Sequence, residues 1–247
     1  MQLLQKIFQS ISAYALPSAC IGCRDFQELT ICNKCLRLLR EEGALAYECC
    51  AQCGISLQES EIKDQVCLQC INNPPAFDET FCLDFYDGIL QESLHQFKYQ
   101  KRVTFAHGLA GAWNQLFTDQ LNESFADYLL PVPLSIQKLA ARGFNQSWEL
   151  AKLIRCRSSI QKSPYILRRH HYSEHQAGTS AANRHRLIQG MFYIEPMYLD
   201  QLENKIVIVF DDVMTSGATL NEIASILKDN GVSRVINWVL LRTPRST

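Results

Sequence analysis

The chain has 247 residues, 47% of them hydrophobic, with 24 Lys and Arg against 25 Asp and Glu and 11 cysteines. That length and composition suit one medium folded domain plus a small one, and no run approaches the ~18–20 apolar residues of a membrane-spanning helix. A net charge of −1 and a pI near 6.6 argue against adhesion of the whole chain to nucleic acid or membrane, so a polyanion must be met by a local basic stretch.

In chain order, Leu3, Leu4, Ile7, Phe8, Ile11 and Tyr14 fall on one face of a helix. Lys6 and the glutamines interrupt a signal-peptide core, so the segment reads as a docking helix; a membrane-surface helix is the alternative. The expected location is the cytoplasm.

Four CxxC pairs follow, all before residue 75: Cys20/Cys23, Cys32/Cys35, Cys50/Cys53 and Cys67/Cys70. A CxxC turn sets two thiolates on one side of a metal, and two such turns complete a tetrahedral four-thiolate shell. Two zinc ions are therefore expected. Neighbours in sequence give the simplest sets, Cys20, Cys23, Cys32 and Cys35 for one ion and Cys50, Cys53, Cys67 and Cys70 for the other, with interleaved pairing left open by spacing. An odd cysteine count without a signal peptide opposes a disulfide framework, and a fourfold CxxC opposes a redox motif; an iron–sulfur cluster satisfies the same ligands. Cys49, Cys82 and Cys156 read as small core residues. Few large apolar side chains accompany these cysteines, so metal binding should supply most of the folding energy of this part. A small N-terminal zinc-ribbon domain over 1–75 is expected to end at the polar, rigid linker Asn72-Asn73-Pro74-Pro75.

From 76 to 247 the pattern alternates. Extended segments are predicted at 81–86, 127–133, 165–168, 190–195, 205–210 and 234–241, and helices near 88–99, 104–120, 145–155 and 221–228. Strands alternating with helices imply an α/β domain with a mainly parallel sheet, whose ligands bind at the carboxyl ends of the strands.

The most specific string is VIVFDDVMTSGAT at 207–219. An apolar run reads as a strand buried on both faces, then two acids, then a Thr/Ser/Gly turn opening a helix. Backbone N–H groups of Thr215, Ser216, Gly217 and Ala218, with the hydroxyls of Thr215, Ser216 and Thr219, suit a dianionic phosphate. Asp211 and Asp212 suit paired ribose hydroxyls just outside that cradle. A generic strand, acidic turn and helix is the competing reading. A second anion loop is expected over 131–147, where Lys138, Arg142 and amides around Gly143 would meet a departing pyrophosphate with Mg²⁺; the competing reading has Arg142 and Asn145 only solvating and capping a helix. From 134 to 190 there is an excess of eight positive charges. Within it, 168–186 has no apolar periodicity and reads as a mobile loop whose Arg168, Arg169, His170, His171, His175 and Arg184 are candidates for pyrophosphate or DNA, each histidine also being readable as a solvated surface residue. Lys98 and Lys101 share that ambiguity.

The 207–219 string resembles the donor-binding signature of type I phosphoribosyltransferases, in which the two acids meet the ribose hydroxyls of phosphoribosyl pyrophosphate and the turn meets its 5-phosphate. With the CxxC pairs, FKY at 97–99, VPL then RGFNQ at 132–146, and Gln176 followed by Arg184, the whole chain resembles the ComF family, GntX-named members included. Gln137, Leu139, Ala140 and Ala141 stand where basic residues are frequent in relatives, leaving Lys138 alone. The resemblance implies a phosphoribosyltransferase fold with a double zinc ribbon. It further implies a role for Asp211 and Asp212 in binding and any catalysis, and work on single-stranded DNA during natural transformation beside the DNA-import helicase machinery. A nucleobase phosphoribosyltransferase of nucleotide salvage is the alternative, and a DNA-binding ribbon whose second domain has lost its chemistry is a third. No segment reads plainly as a nucleobase pocket; Tyr99, Phe144, Tyr172 and Trp148 are scattered as stacking partners, with Phe144 and Trp148 at helix-packing spacing.

Overall fold

The computed structural model describes residues 18–100, 102–117, 125–170 and 190–245. The predicted docking helix, Lys101, His171, Tyr172, His175, Gln176 and Arg184 lie outside them. The N-terminal part consists of short pieces: an antiparallel pair β1 (Ser18–Ala19) and β2 (Phe26–Gln27), helix α1 (Asn33–Glu41), two 3₁₀ turns, and helix α2 (Leu68–Asn72). The alternating part runs β3 (Glu79–Phe85), α3 (Gln91–Tyr99), α4 (Thr104–Leu116), β4 (Tyr128–Pro131), α5 (Ile136–Arg142), α6 (Gln146–Leu153), β5 (Gln161–Lys162), β6 (Leu167–Arg169), β7 (Phe192–Ile194), α7 (Leu199–Leu202), β8 (Ile206–Met214), α8 (Ala218–Asp229) and β9 (Arg234–Arg242).

Five strands form one sheet in the order β3-β9-β8-β4-β5, and every pairing in it is parallel. The mainly parallel α/β class is thus as expected. Its two faces are read directly from β8: Ile208 and Phe210 enter one core with Phe97, Trp113 and Trp238, while Val207 and Val209 enter the other with Ile223 and Leu227 of α8. Both sets are shielded from water, which is why the run is continuously apolar instead of alternating. Each fully buried side chain of this size contributes about 1.5–3 kcal/mol. The indole of Trp113 lies 5.9 Å from Phe210 and 5.6 Å from Trp238, ring centre to ring centre.

The two cysteine groups fall on opposite sides of this sheet. Cys20 and Cys35, with Ile21, Ile31 and Leu39, belong to the first core; Cys50, Cys53, Cys67 and Cys70 belong to the second. Ser93 on α3 donates to the carbonyl of Ile21, and the amide of Thr80 on β3 donates to that of Ala51 (3.0 Å). The N-terminal part therefore packs on the sheet at both faces.

Three details differ from expectation. β8 does not end before the acids: Asp211, Val213 and Met214 stay in register with Val239, Leu241 and Arg242, because β9 is long enough to hold the ladder. The predicted loop at 131–147 contains α5, which buries no residue and so leaves no apolar stripe for the sequence to show. The helix predicted to 120 ends at Leu116.

Candidate functional site

β4 and β8 are parallel neighbours, with Pro131 opposite Phe210, so the segments after them leave the same edge of the sheet side by side. This register joins three motifs far apart in sequence. Asp211 lies in the carboxyl half of β8, where its Oδ1 accepts from its neighbour's amide, Asp212 N (2.9 Å), and from Ser147 Oγ at the start of α6 (3.1 Å). Asp212, buried, pairs with Lys98 Nζ of α3 at 2.9 Å. The ring of Tyr99, next in sequence, lies under the Arg142 guanidinium at 5.2 Å, and Phe97 meets Phe144 at 5.2 Å. Arg142 also donates to Gln146 Oε1 (2.8 Å). FKY, RGFNQ and the two acids thus form one contiguous cluster, in which Phe97, Gln146 and Asp212 are buried. Ser147 completes it; sequence reading passed over its role because nothing local marks a serine in a helix's first turn.

Burial and the adjacent Asp212 push the carboxyl of Asp211 up to about 7, against the opposing pull of Lys98 and of its two hydrogen bonds. Two adjacent carboxylates, one of them paired with Lys98, make a set of oxygens suited to a divalent cation or, as acceptors, to ribose hydroxyls.

Beyond the acids, residues 215–217 make the turn into α8. Gly217 caps that helix at φ 79°, a left-handed conformation; a Cβ there would lie 2.7 Å from Met214 Cε. The turn, residues 213–220, and Asp211 enclose a cavity of about 150 Å³. The first amides of α8 have no partner within their own helix and offer donors at this end. Thr215 and Ser216 are exposed.

The second anion loop is organised mainly by helix capping. Ser135 Oγ accepts from Lys138 N at the start of α5, Gly143 closes α5 at φ 86° with nothing within 4 Å of where a Cβ would stand, and Asn145 Oδ1 accepts from Trp148 N at the start of α6. Lys138 is exposed. Phe144 and Trp148 pack against the first core. Several cations of the basic stretch are engaged locally: Lys152 with Glu149, Arg168 with Glu195, and Lys162 with the carbonyl of Lys152.

The cysteines form two groups of four, Cys20, Cys23, Cys32 and Cys35, and Cys50, Cys53, Cys67 and Cys70, whose sulfurs all lie within 4.8 Å of one another inside each group. Sequence neighbours pair, and Cys49 is in neither set; its thiol, pushed up to about 11 by burial, points to the carbonyl of Ala44. A tetrahedron with ~2.3 Å zinc–sulfur bonds has edges of about 3.8 Å; Cys23 and Cys32 have their sulfurs 3.9 Å apart, and Cys53 and Cys67 3.7 Å. The groups repeat one plan. Cys20 Sγ accepts from Cys32 N (3.3 Å) as Cys50 Sγ does from Cys67 N (3.4 Å), and the residue after each first pair, Arg24 or Gly54, turns left-handed at φ 69°. In the second group Cys50 is held far below the usual thiol range by hydrogen bonds from Cys53 and Cys70, while Cys70 is pushed far above it by Cys50 and Cys53. Four sulfurs so crowded cannot all ionise without a cation among them, and the residues fit a tetrahedral metal ion.

Residues 166–247 match the phosphoribosyl transferase domain family. DNA utilization protein YhgH of Escherichia coli K12 is 28% identical over 219 residues, covering 86% of this chain and 90% of its own. Competence protein F of Haemophilus influenzae is 26% identical over 231 residues, covering 90% and 96%. Among solved structures, the glutamine phosphoribosylpyrophosphate amidotransferase of B. subtilis overlays 57% of this chain and 26% of its own at 18% identity, with a TM-score of 0.33. Parallel sheet, acid pair and turn make this a protein of the phosphoribosyltransferase fold class. With its two cysteine quartets, the chain is similar along most of its length to a DNA utilization protein and a competence protein.

Proposed function

We propose that this protein binds phosphoribosyl pyrophosphate with Mg²⁺ at the carboxyl end of β8, holds one zinc ion in each cysteine quartet, and acts on single-stranded DNA in the cytoplasm as part of DNA uptake or use. The observation that carries the reading is the cavity walled by Asp211 and the 213–220 turn, with the Asp212–Lys98 pair beside it. Amides and hydroxyls of Thr215 to Thr219 receive the 5-phosphate. The carboxylates of Asp211 and Asp212 accept from the ribose hydroxyls. The pyrophosphate then extends toward the α5–α6 segment, where Lys138, Arg142 and amides near Gly143 face it. Mg²⁺, when bound, supplies neutralisation of the pyrophosphate charge. The names of the relatives, one a competence protein and one a DNA utilization protein, support the DNA role. Among the described residues no helix is long and apolar enough to cross a membrane.

Calorimetry of the donor with Mg²⁺ tests the site. Binding to the parent protein and none to the Asp211→Asn/Asp212→Asn double variant, folded by circular dichroism, is the expected result; equal affinity refutes the assignment. Turnover of isotope-labelled donor against nucleobases, amines and DNA then separates a binding role from nucleotide salvage, since acceptor-dependent release of pyrophosphate marks the enzyme.

A further inference from the structure

Arg242 ends β9 and is 5% exposed, yet among the described residues no carboxylate pairs with it. Its guanidinium instead donates to carbonyls from three segments: Cys53 in the second quartet (3.0 Å), Met214 (3.2 Å) and Thr215 at the start of the phosphate turn, and its own neighbour Thr243 (3.1 Å). It also lines a cavity of about 340 Å³ whose other lining residues include Cys53, Cys70, Ser216, Gly217 and Ala218. The exit of β9 holds the quartet a second time. Arg245 pairs with buried Glu61 (3.0 Å), whose other oxygen accepts from the amide of Leu68, the residue after Cys67 (2.8 Å).

A buried cation without a carboxylate costs several kcal/mol unless other negative charge offsets it. Two such charges would adjoin Arg242 once both sites are filled. Four thiolates around one zinc ion carry a formal charge of −2, and the proposed ligand of the turn is a dianionic phosphate. The fork is also rigid and planar, so a shift of the Cys53 carbonyl moves the guanidinium against the Thr215 carbonyl. We infer that Arg242 is a positioning residue that couples metal in the second cysteine quartet to anion binding at the 215–219 turn. This inference rests on the donor reading of that turn. Because coupling between two sites is reciprocal, the donor must tighten the quartet by the factor by which the metal tightens the donor.

The test uses the full-length zinc-loaded protein, pulse-alkylated with N-ethylmaleimide in the presence and absence of phosphoribosyl pyrophosphate and Mg²⁺, and read peptide by peptide by mass spectrometry. The donor should slow alkylation of Cys50, Cys53, Cys67 and Cys70 by about tenfold, within the usual range of coupling factors, and leave the Cys20 to Cys35 quartet within about a factor of two. Arg242→Lys keeps the charge but loses the fork; it should bind donor about tenfold more weakly and, once saturated, give no protection of the second quartet. Donor binding to the parent protein with unaltered alkylation there overturns the coupling without recourse to any variant. So does an Arg242→Lys protein that keeps both parent affinity and protection. If calorimetry finds no donor binding to the parent protein, the reading of the turn fails first and this inference falls with it.

Discussion

Asp211→Asn should make the protein more stable at pH 8 while abolishing its ligand. The unfolded chain releases this proton near its ordinary value of 3.8, whereas in the folded protein burial and Asp212 hold it to about 7. Between those values the folded state binds more protons than the unfolded one, so stability falls as pH rises from about 4 to 7 and stays low above it. The full span corresponds to about 4 kcal/mol, of which roughly 2–3 kcal/mol lies between pH 5 and pH 8. Asparagine has no proton to lose, and its single carbonyl oxygen can still accept from Asp212 N and Ser147 Oγ, the bonds that Oδ1 makes now. The variant should therefore gain about 2–3 kcal/mol on the parent protein between pH 5 and pH 8. Urea denaturation at the two pH values measures this directly; proton-linked metal binding is common to both proteins and cancels in the difference. A gain independent of pH, or no gain at all, would refute the claim that a destabilised carboxylate is held here for binding.

The same proton links ligand to pH: if the ribose hydroxyls require ionised Asp211, donor affinity should rise by up to about tenfold per pH unit below 7 and level off above it, a trend that calorimetry at pH 6, 7 and 8 would detect. Gly217→Ala forces a side chain into a left-handed conformation at φ 79°, so it should cost about 1–2 kcal/mol in chemical denaturation and weaken phosphate binding as the turn shifts against Met214. Elemental analysis should find about two zinc ions per chain, and a strong chelator should unfold the N-terminal part cooperatively; one ion would leave a quartet to another purpose. Single-strand affinity should fall steeply as salt rises, and a flat response would remove the basic surface from the DNA interface.

Local chemistry made much of this protein readable from its sequence. Continuous apolarity at 207–210 required a strand covered on both faces, Gly217 required a turn that an L side chain resists, and CxxC spacing required sulfurs close enough to share a metal, because each depends on residues within one turn or one strand. Helix α5 escaped notice because it buries nothing, and pattern reading sees only burial. Which quartet lies on which face, the meeting of Lys98 with Asp212 and of Ser147 with Asp211, and the place of Arg242 between quartet and turn were decided by strand order together with packing on the sheet. Parallel register sets those groups side by side across separations of 27 to 189 residues in the chain, a distance at which no local spacing carries information.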